Sequence, residues 1–299
     1  MFELLLMLQL GAHGPCAGVT PGHAEAMEVR ARKDADAAIK EAESVRARAP
    51  QCAVAHLGYA LALFPKMQAS SALSKLGLAR DYRAALDQAA KLDPSLLRAR
   101  TELIEYAMHA PAIAGGSVDQ AREGIVALSR THPVEAARLS YQVELKHGER
   151  IAALAAAERW ANLAPHDVDA VVTLVRRLLA AERHRDADAW LIRLETGASA
   201  DPRARQAGRY WRSRVRYVGQ FELDAALRMM EAYIEAGPPS GDAQLPARGL
   251  AQLRLGELLE KMGRCAAARD RMEAARAIDA NLPGLNTALT RISSCRAAP

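Results

Sequence analysis

The sequence predicts an all-α protein, a right-handed superhelix (α-solenoid) of about six to seven helical hairpins that ends in a C-terminal capping helix. Half of the residues are hydrophobic but only 4% are aromatic, a composition typical of closely packed helices rather than of a β-sandwich. No stretch alternates Val, Ile and Thr as a strand does. Similar helical segments recur along the chain, and this recurrence predicts the repeat array.

The clearest hairpin covers residues 249–280. Its diagnostic residues are Leu255, Gly256 and Leu259 on the first helix, Gly263 in the turn, and Ala268, Met272 and Ala275 on the second helix. Gly256 and Ala268 are small at the point where the two helices are expected to cross, and the larger residues fill the space on either side. This order of large and small residues resembles the tetratricopeptide repeat.

Further copies begin at Val134 and Val168, and their small residues Ala153 and Ala187 are 34 residues apart, the tetratricopeptide period. Prolines are expected to follow the second helices, at Pro50, Pro94, Pro133 and Pro165. The sequence thus predicts irregular repeats over 23–133, regular repeats over 134–280 and a capping helix over 283–295. The clearest insertion lies between Leu63 and Tyr82, where Ser71 is expected to cap a lengthened helix.

Residues 56–133 resemble a group of exported bacterial tetratricopeptide proteins. The matching motifs are Leu92-Asp93-Pro94, Ala99-Arg100, Ala110-Pro111-Ala112-Ile113-Ala114-Gly115-Gly116-Ser117 and Ala121. A similar Pro…Gly-Gly…Ala turn occurs in helical-repeat components associated with periplasmic solute-uptake systems. The resemblance implies the fold and implies no enzymatic activity. The turn itself has two interpretations: a tight reversal followed by a Ser117–Gln120 capping box, or an anion site at the next helix N-terminus.

Residues 1–22 predict a secretory or targeting segment, followed by the helical array over 23–299. Residues 2–10 are apolar apart from Glu3 and Gln9, and small residues follow. A basic residue before the apolar run is missing. We therefore expect a periplasmic or otherwise exported protein, and a cytoplasmic one if the segment is not a signal. No run reaches the ~20 apolar residues of a membrane-spanning helix.

Motifs for catalysis and cofactor binding are absent from the sequence. There is no HExxH, P-loop, GxGxxG or GxSxG, and none of the eight histidines has another His or a Cys at a metal-ligand spacing. The net charge of +5 is small for a nucleic-acid-binding surface. The sequence predicts a protein that is not an enzyme and has no cofactor, no metal and no nucleic-acid partner.

A binding groove is expected on the first helices of the hairpins, which line the concave face of such superhelices. The candidate residues are Arg138, Gln142, Val172, Arg176, Arg209, Tyr210, Arg216 and Tyr217. Segment 203–218 interleaves arginines with aromatic residues. Such a combination offers bidentate binding of carboxylates or phosphates and a flat stacking surface. In the alternative interpretation Trp211, Val215 and Val218 face the core and the arginines are solvated.

Two functions follow from this pattern. The first is a scaffold for protein–protein interaction that binds an extended peptide or protein segment of some acidic character. The second is a solute-handling component that encloses a small anionic ligand. A groove that grips a C-terminal carboxylate through asparagines is excluded, because Asn162, Asn281 and Asn286 fall outside the groove positions.

The cysteines predict one disulfide, between Cys265 and Cys295. Both lie 15 residues from the reversal expected near Ala280, and residues equidistant from the turn of an antiparallel hairpin lie side by side. Such a bond persists only in an oxidising compartment. Cys52 is predicted to have no partner, because it follows its own turn at Pro50 while Cys16 lies far upstream.

Overall fold

The computed structural model describes residues 14–198, 200–239 and 241–295. These residues form fifteen α-helices and one short 3-10 turn, with no strand among them, which confirms the predicted all-α class. The chain divides into two compact units, residues 1–147 (unit 1) and residues 148–299 (unit 2).

Unit 1 contains the first seven helices. They are α1 (His23–Ala31), α2 (Ala35–Arg48), α3 (Ala53–Ala69), α4 (Ala72–Leu92), α5 (Leu97–His109), α6 (Val118–Ser129) and α7 (Pro133–Lys146), with the 3-10 turn Ala112–Ala114 between α5 and α6. Each helix packs on the next, and α1 also packs on α3 and α5 on α7. This order of neighbours is that of a stack of hairpins in which the first helices form one layer.

A glycine lets α1 approach α3 closely. A Cβ placed on Gly58 of α3 would lie 2.8 Å from Cδ2 of His23, the first residue of α1. Around this contact Met27, Leu57 and Leu61 are 3% exposed or less. The first two odd-numbered helices therefore meet without a gap.

The hairpin of α3 and α4 is lengthened, as the insertion predicts. The two helices have 17 and 21 residues. Ser71 occupies the N-cap position of α4 but does not form the predicted cap, because its hydroxyl donates to Ser74 Oγ at 3.3 Å and accepts no backbone N–H. The second half of α4 is anchored by the buried residues Leu86 and Ala89. Its first two turns are only partly covered, so they form a wall with one side facing away from the core.

Cys52 does have a partner, and the prediction that it lacks one is wrong. A disulfide joins Cys16 to Cys52, with the Cα atoms 4.7 Å apart, and Val19 packs beside it against Ala49. Because α1, α2 and α3 pack in series with short connections, the segment that precedes α1 lies beside the turn between α2 and α3. The predicted secretory segment lies outside the described residues over 1–13, whereas Cys16 is bonded to the folded unit.

Unit 2 contains the remaining eight helices. They are α8 (Arg150–Leu163), α9 (Val168–Ala180), α10 (His184–Gly197), α11 (Pro202–Gly219), α12 (Leu223–Glu235), α13 (Arg248–Lys261), α14 (Cys265–Ile278) and α15 (Leu285–Ser293). The odd helices α9, α11, α13 and α15 pack in series. The hairpin predicted from Val134 is divided, because α7 belongs to unit 1 and α8 to unit 2.

The α13–α14 hairpin crosses where the sequence predicts. A Cβ on Gly256 would lie 2.7 Å from Met272 Cγ and 3.1 Å from the carbonyl oxygen of Ala268, so only a glycine fits at this crossing. The following helix α15 buries Leu285 and Ile292 and exposes its polar residues. These features fit the predicted terminal cap.

Cys265 and Cys295 form a disulfide across the α14–α15 hairpin, with their Cα atoms 5.8 Å apart. Arg291 of α15 also pairs with Glu260 of α13 through two bonds of 2.7 Å. The last helix is thus held to unit 2 by a covalent bond, an ion pair and a buried apolar face.

Candidate functional site

Several arginines of α11 form ion pairs within the protein, and Arg216 is among them although a binding role is predicted for it. Arg216 is only 5% exposed and pairs with Asp188 at 3.0 Å and Glu222 at 2.9 Å. Arg212 contacts the same Asp188 at 3.1 Å and Glu195 at 2.6 Å. The assignment of Arg216 to a ligand-binding groove is therefore wrong, because the N–H groups of its guanidinium are already bonded to Asp188 and Glu222.

Further arginines of α11 are neutralised in the same way. Arg203 binds Asp169 at 2.9 Å and Asp242 at 2.7 Å, and these hydrogen bonds raise its pKa. The bond from Arg203 likewise lowers the pKa of Asp242. Arg214 pairs with Glu257 at 3.3 Å. Arg203, Arg212, Arg214 and Arg216 therefore connect helices of unit 2, and their charges are compensated by carboxylates.

Two more predicted groove residues are buried. Val172 is 0% exposed and Tyr210 is 5% exposed. The ring of Tyr210 packs edge-on against Trp211, with centroids 5.3 Å apart, and against Tyr233 at 5.2 Å. Burial raises the pKa of Tyr210. Both residues belong to the core, because the face of their helix that was expected to line a groove packs on neighbouring helices.

The other predicted residues of unit 2 lie nearer the surface. Arg176 is exposed and lies over the Trp211 ring at 5.1 Å. Arg209 donates to Gln206 Oε1 at 3.5 Å. Tyr217 is half-buried between two cations, Arg214 at 4.7 Å and Lys261 at 4.9 Å from its ring centre. Arg176 and Tyr217 thus take part in cation–aromatic contacts near the surface. Neither they nor Arg209 line the cavities of unit 1.

The main cavity is in unit 1 and has a volume of about 790 Å³. It lies between the second half of α3 and the length of α5, with the first half of α4 and the 110–114 loop as its other walls. The walls are mostly apolar. They include Phe64 of α3, Lys75 and Tyr82 of α4, Glu105 and Tyr106 of α5, and Ile113 of the loop.

The cavity opens where two successive odd-numbered helices stay apart. Within the described residues, α1 packs closely on α3 and α5 makes a smaller contact with α7, whereas α3 and α5 do not pack on each other. Three aromatic rings stand at this gap: Tyr82 lies 5.9 Å from Phe64 and 5.9 Å from Tyr106, measured between ring centroids. Bulky rings thus stand between α3 and α5, whereas on the opposite side of α3 the glycine at position 58 allows α1 to approach closely.

The loop that forms one wall is rigidly bonded. Tyr106 donates its hydroxyl to the carbonyl of Ala114, and Arg83 of α4 donates to the carbonyl of Gly115 at 2.7 Å. The N–H groups of Gly115 and Gly116 donate to loop carbonyls at 2.9 and 3.0 Å. Because both N–H groups are used within the loop, neither is available to an anion, which favours the interpretation as a tight reversal.

The predicted capping box is formed in one direction only. The Ser117 hydroxyl accepts from the N–H of Gln120 at 3.3 Å. The side chain of Gln120 instead accepts from Arg83 at 2.9 Å, and the N–H of Ser117 donates to the carbonyl of Ala107 at 2.8 Å. Arg83 therefore replaces the second half of the box and ties the loop to α4.

Charged groups line one part of the cavity. Glu102 accepts from the Tyr82 hydroxyl and from Arg98, each at 2.6 Å, and Arg98 also reaches Glu28 at 3.4 Å. Burial raises the pKa of Tyr82 most, and the negative charge of Glu102 raises it further. The tyrosine therefore stays neutral and serves as a hydrogen-bond donor to the carboxylate.

A second cavity of about 500 Å³ shares Arg98, Glu102 and Glu105 with the first and extends it toward α7. Arg138, one of the predicted groove residues, lines this cavity. It binds Glu135 through two bonds of 2.6 and 2.9 Å and reaches Glu105 at 3.5 Å. Gln142 lies one turn further along α7 and is half-buried. We call the two cavities together the unit-1 groove.

The aromatic wall and Lys75 are not among the binding residues predicted from the sequence. A signal was present, because the insertion between Leu63 and Tyr82 interrupts the repeat period at this point.

Within the described ranges, no three His, Cys, Asp or Glu residues are arranged to hold a metal ion. None of the described helices has the length and apolar character needed to cross a membrane.

No protein-family model and no curated protein matches the chain. Among solved structures, a chain of the APC/C hetero-tetramer Cut9–Hcn1 is similar with a TM-score of 0.55 and 13% identity, over 97% of this chain and 52% of that chain. The chain thus spans about half the length of that structure's chain. At this identity the similarity shows the fold alone.

Two tetratricopeptide structures match more distantly. A tetratricopeptide repeat protein from Parabacteroides merdae has a TM-score of 0.39 at 11% identity, over 78% of this chain and 98% of its own. The P58(IPK) TPR domain has a TM-score of 0.35 at 11% identity, over 90% and 97%. The order of the hairpins, the packing of the odd-numbered helices and the similarity to the chain of the Cut9–Hcn1 complex show that the chain has the tetratricopeptide-repeat fold.

Proposed function

We propose that the protein is a non-enzymatic scaffold that binds an extended segment of a partner protein in the unit-1 groove. The single observation behind this proposal is the 790 Å³ cavity between α3 and α5. It stands on the first-helix layer of a tetratricopeptide fold, and its volume is large enough for bulky side chains of a partner.

Solvent-facing apolar side chains at the cavity support a protein partner. Phe64 is 42% exposed and Ile113 is 73% exposed, and both line the cavity. Covering apolar surface contributes roughly 25 cal/mol per Å², so a segment that covers these side chains gains affinity. The Cut9–Hcn1 structure is a complex of different chains, which is in keeping with an interaction role for this fold.

Replacing Ile113 with serine is expected to weaken binding of the partner about fivefold or more, because a bulky apolar contact at the centre of an interface contributes more than about 1 kcal/mol. Affinity capture followed by mass spectrometry identifies the partner, and titration of the two purified proteins gives the dissociation constant. Ile151→Ser is the matched control, since Ile151 is 88% exposed and lies in unit 2. Equal affinities for the two variants would contradict the proposed site.

A small apolar anion is the second candidate occupant. The volume of the main cavity lies within the ~300–1,000 Å³ typical of small-molecule sites, and Lys75 on its wall provides a cation. This candidate predicts that dodecanoate raises the melting temperature of the purified protein more than dodecanol does. An unchanged melting temperature with both compounds, together with a tight protein partner, rejects it.

We also propose that the protein is exported. The disulfides Cys16–Cys52 and Cys265–Cys295 support this, because such bonds persist in oxidising compartments. Protein isolated from its native source under thiol-blocking conditions is expected to carry no blocked cysteine until it is reduced. Intact mass measures this directly, and four blocked thiols before reduction would reject the proposal.

A further inference from the structure

The cations and carboxylates of the unit-1 groove are unequally compensated. Glu102 and Glu28 each contact Arg98, and Glu28 also accepts from Arg32 at 2.7 Å. Glu105 lies 3.5 Å from Arg138. Each carboxylate on the wall of the main cavity therefore has at least one guanidinium as its partner, so it has little remaining attraction for a cation from outside.

Lys75 differs from these groups. It is half-buried on the first turn of α4 and lines the main cavity, yet its ammonium makes no hydrogen bond or ion pair to any residue that the structure describes. The other basic side chains on this wall are Arg98, which pairs with Glu102 and Glu28, and His109, which accepts from Lys146 at 2.8 Å. Burial lowers the pKa of His109, and the charge of Lys146 lowers it further. Lys75 is thus the uncompensated cation on the wall of the main cavity.

An ammonium that is partly shielded from water attracts a carboxylate more strongly than a fully exposed one does. Around Lys75 the cavity is apolar, with Phe64, Leu76 and Ile113 among its walls. A ligand that satisfies both features needs a bulky apolar group for the walls and a carboxylate placed next to it for the lysine.

We infer that the partner segment carries a bulky apolar residue beside an acidic residue, and that the acidic side chain pairs with Lys75 while the apolar side chain fills the cavity between α3 and α5. The inference rests on the proposed function, since it assigns chemistry to the same groove. It differs from the acidic partner expected from the sequence, because it places the acidic contact at Lys75 of unit 1 and not at the arginines of α11, of which Arg212 and Arg216 pair with carboxylates inside unit 2.

The test is a selection of random linear peptides displayed on phage against the full-length chain. Parallel selections use Lys75→Gln, Ile113→Ser and the control Lys91→Gln, which changes an exposed lysine of α4 outside the cavity. The wild type and Lys91→Gln are expected to enrich peptides with an acidic residue at a fixed distance from a bulky apolar one. Lys75→Gln is expected to enrich the apolar residue without the acidic one.

A synthetic peptide from the selection gives the affinity. Replacing its acidic residue with the amide is expected to weaken binding to the wild type about fivefold and binding to Lys75→Gln not at all. Apolar peptides without an acidic preference, or an acidic preference that Lys75→Gln retains, would overturn the inference and leave the proposed function standing. Peptides that bind Ile113→Ser as well as the wild type would contradict the proposed function itself.

Discussion

Replacing Asp188 with asparagine is expected to lower the free energy of unfolding of unit 2 by about 3 to 5 kcal/mol, the cost of breaking a buried ion pair by removing one partner. Asp188 is 7% exposed and accepts from both Arg212 and Arg216. An asparagine keeps the shape of the side chain but removes its charge. Two guanidiniums then remain in a buried site with fewer compensating carboxylates. Denaturant unfolding followed by circular dichroism measures the loss.

Asp186→Asn on the same helix is the matched control. The side chain of Asp186 is 52% exposed and pairs with Arg183 at 2.7 Å, so its charge is screened by water and its loss is expected to cost less than ~1 kcal/mol. Equal stability of the two variants would show that Asp188 is not a buried link. The argument against the predicted binding role of Arg216 would then lose its support from the ion pair with Asp188.

Replacing Gly116 with alanine is expected to destabilise unit 1 by about 1 to 3 kcal/mol or more, the range for overpacked sites. The added Cβ would lie 1.7 Å from the carbonyl oxygen of Ala110. Both atoms belong to the backbone, so no side-chain rotation relieves the overlap and the loop must move. The hydrogen bond from Tyr106 to Ala114 then breaks, and one wall of the main cavity is displaced. Denaturant unfolding and peptide affinity are both expected to report the change.

Gly77→Ala is the control for this variant. Gly77 lies within α4, and a Cβ added there meets no atom within 4 Å. Alanine is preferred to glycine in a helix by roughly 0.5 to 1 kcal/mol, so this variant is expected to be slightly more stable than the wild type. If Gly116→Ala behaves as Gly77→Ala does, the 110–116 loop is not the fixed wall described above.

The fold could be predicted from the sequence because it depends on local features. Small residues such as Gly256 and Ala268 mark helix crossings, and the 34-residue period sets the order of the hairpins. The Cys265–Cys295 pairing followed from counting residues on the two arms of one hairpin. Each of these features involves neighbours along the chain, so no knowledge of distant contacts was needed.

The candidate site could not be predicted in the same way. Periodicity places Arg212 and Arg216 on one face of α11 but does not reveal that Asp188 faces them from α10. Cys16 meets Cys52 only because intervening helices bring the chain back. The main cavity lies at an insertion, where the repeat period fails and where aromatic residues from three helices meet. Long-range packing decides each of these features, and a single sequence does not encode it in a form that counting can extract.

The most direct test of the proposed site is a crystal structure of the full-length chain with a peptide from the selection. The expected complex has the peptide's apolar side chain between Phe64 and Tyr106, with its carboxylate within about 4 Å of the Lys75 ammonium, the limit for an ion pair. A peptide seated on α9, α11 or α13 of unit 2, with nothing in the main cavity, would contradict the account.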